Sequence, residues 1–303
     1  MRAFLSAVAV PAALTVSVVA GCTESPRRVA VPDTGMDVSD AGTDAPFVRR
    51  DAGPGIDGGG LADVVIYAHS SGTLFSFSPL TNTVTPIGRF TDSATGNNAD
   101  PMVDLAVDSA AHVFTSSATD LWTVDVATAE VTSVGAFDVT NGEQFYALTF
   151  LAQGELHADR ETLIGATNMG AYYEIDPATA QTTFLGQYPD GWLSSGDLVS
   201  VRGLGTYATI RQDGDTHDTL AQITFASDGT SIITVIGPIV QGATEYNQIF
   251  GLGYWGRDVY GFTNHGELVQ IDRTTGAGHL ATTDTVTGQF WGAGVTTLAP
   301  VVF

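Results

Sequence analysis

The side chains best suited to chemistry in this chain are oxygen-bearing residues spaced by about one structural period. They are Asp100 with Asp104, Glu143, Asp197, Asn247 and Gln289. A ring of carboxylates and amides is what a hard cation such as calcium needs, and a bound cation could polarise a carbonyl or activate water. Asp104, Glu143, Asp197 and Asn247 are therefore the candidate metal set. Asp100 and Gln289, with Trp255 and Trp291 among the aromatics of the same segments, are candidate ligand-facing residues. The competing expectation is that the acids cap strand ends and the aromatics fill space between packed sheets. A second acidic stretch, Asp213-Gly214-Asp215-Thr216-His217-Asp218, opens like a calcium loop, but its twelfth position is Thr224 where a bidentate Glu belongs. It reads as a polar tip between two strands.

Standard catalytic signatures are missing. The chain has no GxSxG, HExxH or CxxC motif and no Gly-rich phosphate loop leading into a helix. Its six histidines are dispersed without ligand spacing. No catalytic residue and no certain cofactor follow, and calcium is the one cofactor the acids suggest.

What must position these residues is a fifteen-residue unit written five times. Its clearest copy is Tyr172 to Gly186, YYEIDPATAQTTFLG, and the copies start at 74, 121, 172, 220 and 268. The copy from Leu220 to Gly237 is longer by three residues. Each copy reads as a hairpin: alternating β-branched and aromatic residues, then a turn, then a second strand closed by Gly88, Gly135, Gly186 or Gly237. Asp125, Asp176 and Asp272 are placed to accept backbone N–H bonds as Asx-turns. Asn82 and Gly276 occupy a position that wants left-handed backbone, where Ala129 and Ala180 are less comfortable.

Two further strand-like runs precede each hairpin, such as Leu105 to Ser109 and His112 to Ser116. Four short strands at a period of 47 to 51 residues predict an all-β, five-bladed β-propeller. The first unit lacks one strand, and a lone strand from Trp291 to Val302 ends the fifth. The ring is expected to close by that strand joining the first blade, which removes exposed edges.

Residues 63–303 form the propeller in this reading, and residues 23–62, rich in Asp, Gly, Ala and Pro, form a disordered linker. As a flexible coil the linker would span on the order of 35 Å. Residues 1–22 read as a signal peptide, with a positive start, an apolar run and Val19-Ala20-Gly21-Cys22. That tetrapeptide resembles the bacterial lipobox, which implies acylation of Cys22 and anchoring in a membrane, the outer membrane or surface of a Gram-negative cell. Acyl chains hold by roughly 0.8 kcal/mol per buried methylene. Cys22 is the only cysteine, so the mature chain can form no internal disulfide. The net charge of −22 repels nucleic acid and anionic surfaces.

The strand–IDPxTG–strand–IG pattern resembles the bacterial extracytoplasmic repeat propellers of the NHL and YVTN kind, and more loosely the DxxTG turns of quinoprotein propellers. The tryptophan-docking pattern of quinoprotein blades is absent, so no cofactor is carried over. The resemblance implies ring architecture and a habit of binding. Three functions stay open: a lipid-anchored binding module for an envelope protein or glycan, a calcium-assisted hydrolase or lactonase-like enzyme at the axis, and a structural envelope component. The domain is expected to be monomeric.

Overall fold

A computed structural model describes residues 64–302, except 100, 140, 141, 168, 227, 229 and 284–286. The leader, Cys22 and the linker lie outside the described residues, as does Asp100.

The first blade contains β1 (Ile66–His69), β2 (Thr73–Ser78) and β3 (Thr83–Arg89). A short β4 (Thr91–Asp92) leads into the second blade of β5 (Asp104–Val107), β6 (Val113–Ser116), β7 (Asp120–Asp125) and β8 (Glu130–Ala136). The third holds β9 (Phe145–Leu151), β10 (Thr162–Thr167), β11 (Ala171–Ile175) and β12 (Thr182–Gln187). The fourth holds β13 (Leu193–Val201), β14 (Gly205–Arg211), β15 (Thr219–Phe225) and β16 (Ser231–Pro238). A small ribbon, β17 (Val240–Gln241) with β18 (Thr244–Glu245), precedes β19 (Ile249–Trp255), β20 (Asp258–Thr263), β21 (Glu267–Asp272) and β22 (Gly278–Thr283) of the fifth. Finally β23 (Gly292–Gly294) pairs antiparallel with β1, Ala293 opposite Ala68, as the innermost strand of the first blade. The protein is a five-bladed β-propeller closed as the sequence predicts.

The repeat motif has two structural consequences. In every blade the third and fourth strands slip by one residue: Leu74 pairs with Gly88, but Phe75 pairs with Pro86. The same bulge recurs at Leu121/Trp122, Tyr172/Tyr173, Leu220/Ala221 and Leu268/Val269. The extra residue is Ile87, Val134, Leu185, Ile236 or Ala281, each half-buried against the core. The glycine that follows was expected to close its strand; the strand instead continues past it, because the bulge restores the pairing. At the turns, the Asp carboxylates accept from Ala127, Ala178 and Thr274 N–H at 2.8 Å, as Asx-turns require. Asn82, Ala129, Ala180 and Gly276 all take positive φ, between 50° and 79°.

Side chains on neighbouring blades interlock in four apolar clusters. The largest joins the first and fifth blades through Phe75, Phe77, Phe262 and Phe290, whose rings meet edge to face, and reaches the fourth through Val199, Val201, Tyr207 and Leu220.

Beyond β23 the expected long strand is absent, since residues 295–302 leave the blade and cross the lower mouth of the ring. Thr296 bridges Val107 and donates its hydroxyl to Asp108 O at 2.8 Å. Arg202 N–H donates to Thr297 O at 2.9 Å, and the Thr297 hydroxyl bonds Glu161. Gly256 N–H donates to Pro300 O at 2.9 Å. This tail thus touches the second, third, fourth and fifth blades in turn.

Candidate functional site at the propeller axis

The inner strands β23, β5, β9, β13 and β19 stand side by side around the axis. One level of this ring is occupied in order by Gly292, Asp104, Ala147, Asp197 and Gly251. Small residues alternate with acids because the space admits no more. A Cβ on Gly251 would stand 2.5 Å from Ala293 N, and one on Gly292 would stand 2.5 Å from His69 Nε2 and strike Asp104 Oδ1.

Asp104 and Asp197 are both fully buried. Asp104 Oδ1 accepts from Leu105 N–H at 2.8 Å and its Oδ2 from Leu148 N–H, on the next blade, at 2.7 Å. Asp197 repeats the arrangement two blades on, accepting from Leu198 N–H and, across the interface, Leu252 N–H, both at 2.6 Å. The two carboxyls lie close enough for each to influence the other's ionisation. Burial pushes Asp104 well above the ordinary carboxylate range, and the Asp197 charge pushes it further. Burial likewise raises Asp197. Both carboxyls are therefore harder to ionise than exposed acids.

His69 closes the upper side of this cluster. Its Nδ1 lies 2.8 Å from Ser70 O, so Nδ1 carries the hydrogen and Nε2 is left as a bare acceptor without a protein partner. Burial lowers its pKa to about 4, partly offset by the Ser70 carbonyl. The ring packs edge-on against Phe90.

Asp218, the last acid of the calcium-like loop, is a third buried carboxylate. Its Oδ2 accepts from Ile249 N–H, on the fifth blade, at 2.9 Å. Burial raises it to about 6. In the same loop Asp215 Oδ2 accepts from Gln212 N–H at 2.8 Å, closing a tight turn. The loop is the polar tip between two strands that its sequence suggests, with an interblade staple at Asp218 that the sequence did not reveal.

The four candidate metal ligands do not converge. Asp104 and Asp197 meet at the axis, whereas Glu143 is half-buried beside the Tyr173 hydroxyl. Asn247 Nδ2 donates to Thr216 O at 2.9 Å. In the inner-strand register Glu143 and Asn247 stand five residues ahead of Leu148 and Leu252, whereas the two acids immediately precede Leu105 and Leu198. Among the described residues, no three His, Cys, Asp or Glu side chains are arranged to hold a metal ion. Gln289 is exposed near the upper mouth. Trp291 is half-buried there, and its backbone N–H donates to His69 O at 2.8 Å. Trp255 ends β19 at the opposite, lower face, in a shallow groove with Phe77 and Leu80.

No family model and no curated protein matches this chain. Solved structures of similar shape include BBS1N in complex with ARL6DN, at 13% identity and TM-score 0.35 over 74% of this chain and 62% of that one. The chain thus spans about three fifths of that protein. A protein of unknown function from Bacteroides caccae aligns at 8% identity and TM-score 0.42, over 77% and 98% of the two chains. BamB from Moraxella catarrhalis aligns at 15% identity and TM-score 0.33, over 72% and 70%. Similarity at this level carries no function across, so the site must be argued from its own residues.

Proposed function

We propose that this protein is an extracytoplasmic propeller, anchored through an acylated Cys22, that acts as a binding module for an envelope protein or glycan. The observation that carries this reading is how the axis is used. All four oxygens of Asp104 and Asp197 hold backbone N–H groups, and the 295–302 tail crosses the lower mouth. Groups committed to holding the ring together are poorly placed to turn over a substrate, which leaves the loop face and rim for recognition.

The test uses the full chain in a Gram-negative host. Wild type should incorporate labelled palmitate and fractionate with membranes, and Cys22→Ala should do neither. Surface crosslinking should then yield discrete adducts with protein or glycan. A Cys22→Ala protein that stays on the membrane removes the anchor, and an absence of adducts removes the binding role.

A calcium-assisted hydrolase is the second reading, favoured by the bare Nε2 of His69 beside the carboxyl pair. It requires calcium to raise the melting temperature of the protein, and Asp104→Asn to abolish that rise.

A further inference from the structure

The outer edges of the five blades are not treated alike. An unpaired outer strand offers a row of free N–H and C=O groups to any extended chain, and proteins blunt such edges with straps, prolines and charge. The second blade is covered: β4 pairs parallel with β8, Thr91 opposite Glu130. On the third, Asp138 from the preceding connector accepts from both Thr182 N–H and its hydroxyl, at 2.7 and 2.6 Å. On the fifth, Gln241 Oε1 accepts from Leu280 N–H at 3.1 Å. The first blade's β3 carries Pro86 and Arg89 within the strand.

The fourth blade has none of these. Its outer strand β16, SIITVIGP, is eight residues long and without charge, and its one proline is the last residue. Among the described residues it pairs only with β15. Ile232 is 66% exposed and Val235 48%, on opposite faces of the strand, so both sides of an added strand would meet apolar surface. Acid lies at its start: exposed Asp228 sits in the turn before it, its carboxylate accepting from the Thr230 N–H and hydroxyl, which holds its pKa down. The chain as a whole carries −22 and no lysine. That charge disfavours a second copy as the occupant and favours a cationic one.

We propose that β16 is the docking edge of this propeller, and that it takes an extended segment of a partner protein: alternating β-branched residues flanked by Arg or Lys, added to the fourth blade as a fifth strand. This mirrors within one chain what β4 does for the second blade. Main-chain bonds would supply affinity, and Ile232, Val235 and Asp228, with the acidic charge of the whole chain, would supply selectivity. The proposal rests on the binding-module reading and names the partner class for it.

The experiment is fluorescence anisotropy with the full-length chain in detergent. The probe is a labelled peptide of alternating Thr and Val with Arg at both ends, and its control is the same peptide with Glu ends. The Arg peptide should bind at least about tenfold more tightly than the Glu peptide. The Ile232→Lys/Val235→Lys variant should weaken it by a similar factor, and Phe184→Lys on the strapped third blade should not. Folding is checked by thermal melts, since all three positions are exposed. Equal loss in both variants, or no binding of the Arg peptide, overturns the docking edge while leaving the crosslinking test of the binding module untouched. A dimer seen by sedimentation and lost in the double variant would make a second copy the occupant and overturn the partner proposed here.

Discussion

The methyl group of Ala129 lies 3.3 Å from where a Cβ on Gly88 would stand, so the second blade's hairpin turn is seated directly on the outer strand of the first. The contact recurs between Gly135 and Ala180 and, with glycine on both sides, between Gly237 and Gly276. Two separated parts of the repeat, the IG at one end and the T-A/G in the turn, are thus halves of one interblade joint. Ala129 and Ala180 tolerate left-handed backbone because their buried methyls fill the space above a glycine.

Substitution at the glycine side should therefore be costly, since the joint leaves no room for a side chain. A Cβ on Gly237 would strike Thr275 O, a backbone atom that cannot rotate away. Gly237→Ala should lose about 1–3 kcal/mol, the usual cost of overpacking, measured by urea unfolding. Gly191→Ala offers the contrast: the new Cβ would meet nothing, and the cost is confined to its φ of 75°.

The axial acids make a different prediction. Asp104→Ala would orphan the buried N–H groups of Leu105 and Leu148 and open a hole, which should cost about 3–5 kcal/mol. Asp197→Asn should also destabilise, by about 1–3 kcal/mol, because the new amide NH2 cannot accept the N–H that a carboxylate oxygen now holds, which orphans Leu198 or Leu252. No loss from Asp197→Asn would show that one of these bonds contributes nothing.

Asp218 and His69 should pull stability in opposite directions with pH. Asp218 rises from 3.8 to about 6 on folding, so the native state binds more protons across that window. Its contribution is complete below 3.8 and is lost as pH climbs to 6, on the order of 3 kcal/mol. His69 falls from 6.5 to about 4, so its contribution is complete above 6.5 and is lost as pH falls to 4, by a similar amount. Relative to wild type, Asp218→Asn should make stability rise more steeply between pH 4 and 6. His69→Gln should do the reverse. Unfolding midpoints measured across this range decide both signs.

Most of the ring was legible in the sequence, because period, turn acids and the left-handed residues after them are local features. The pairing of Leu74 with Gly88 shows what was not. A bulge inserts one residue without altering the alternating pattern enough to be seen, so the glycines read as strand ends. At the axis, the sequence grouped Asp104 and Asp197 with Glu143 and Asn247, which stand four residues away in register. Only strand pairing fixes that register. His69 carried no signal, being a single histidine at the end of an ordinary strand whose partner, β23, lies more than two hundred residues on.

The tail supplies the last prediction. Thr297 joins Glu161, whose other carboxylate oxygen accepts from Ser109 N–H at 2.9 Å, while Arg202 lies 4.0 Å away. One side chain thus ties the C-terminal segment to the second, third and fourth blades at the lower mouth. Removing the Thr297 hydroxyl leaves Glu161 half-buried with one acceptor site empty, which should cost about 1–2 kcal/mol. In a ring of this size that is a fall of roughly 2–8 °C in melting temperature. The local effect should be larger than the global one, because the tail is held by a handful of bonds and its release does not require a blade to unfold. Thr297→Ala should therefore expose residues 295–302 to carboxypeptidase under conditions where the wild-type chain resists. A variant that melts earlier yet resists trimming as well as wild type would place the lost energy in the blades and not in the tail.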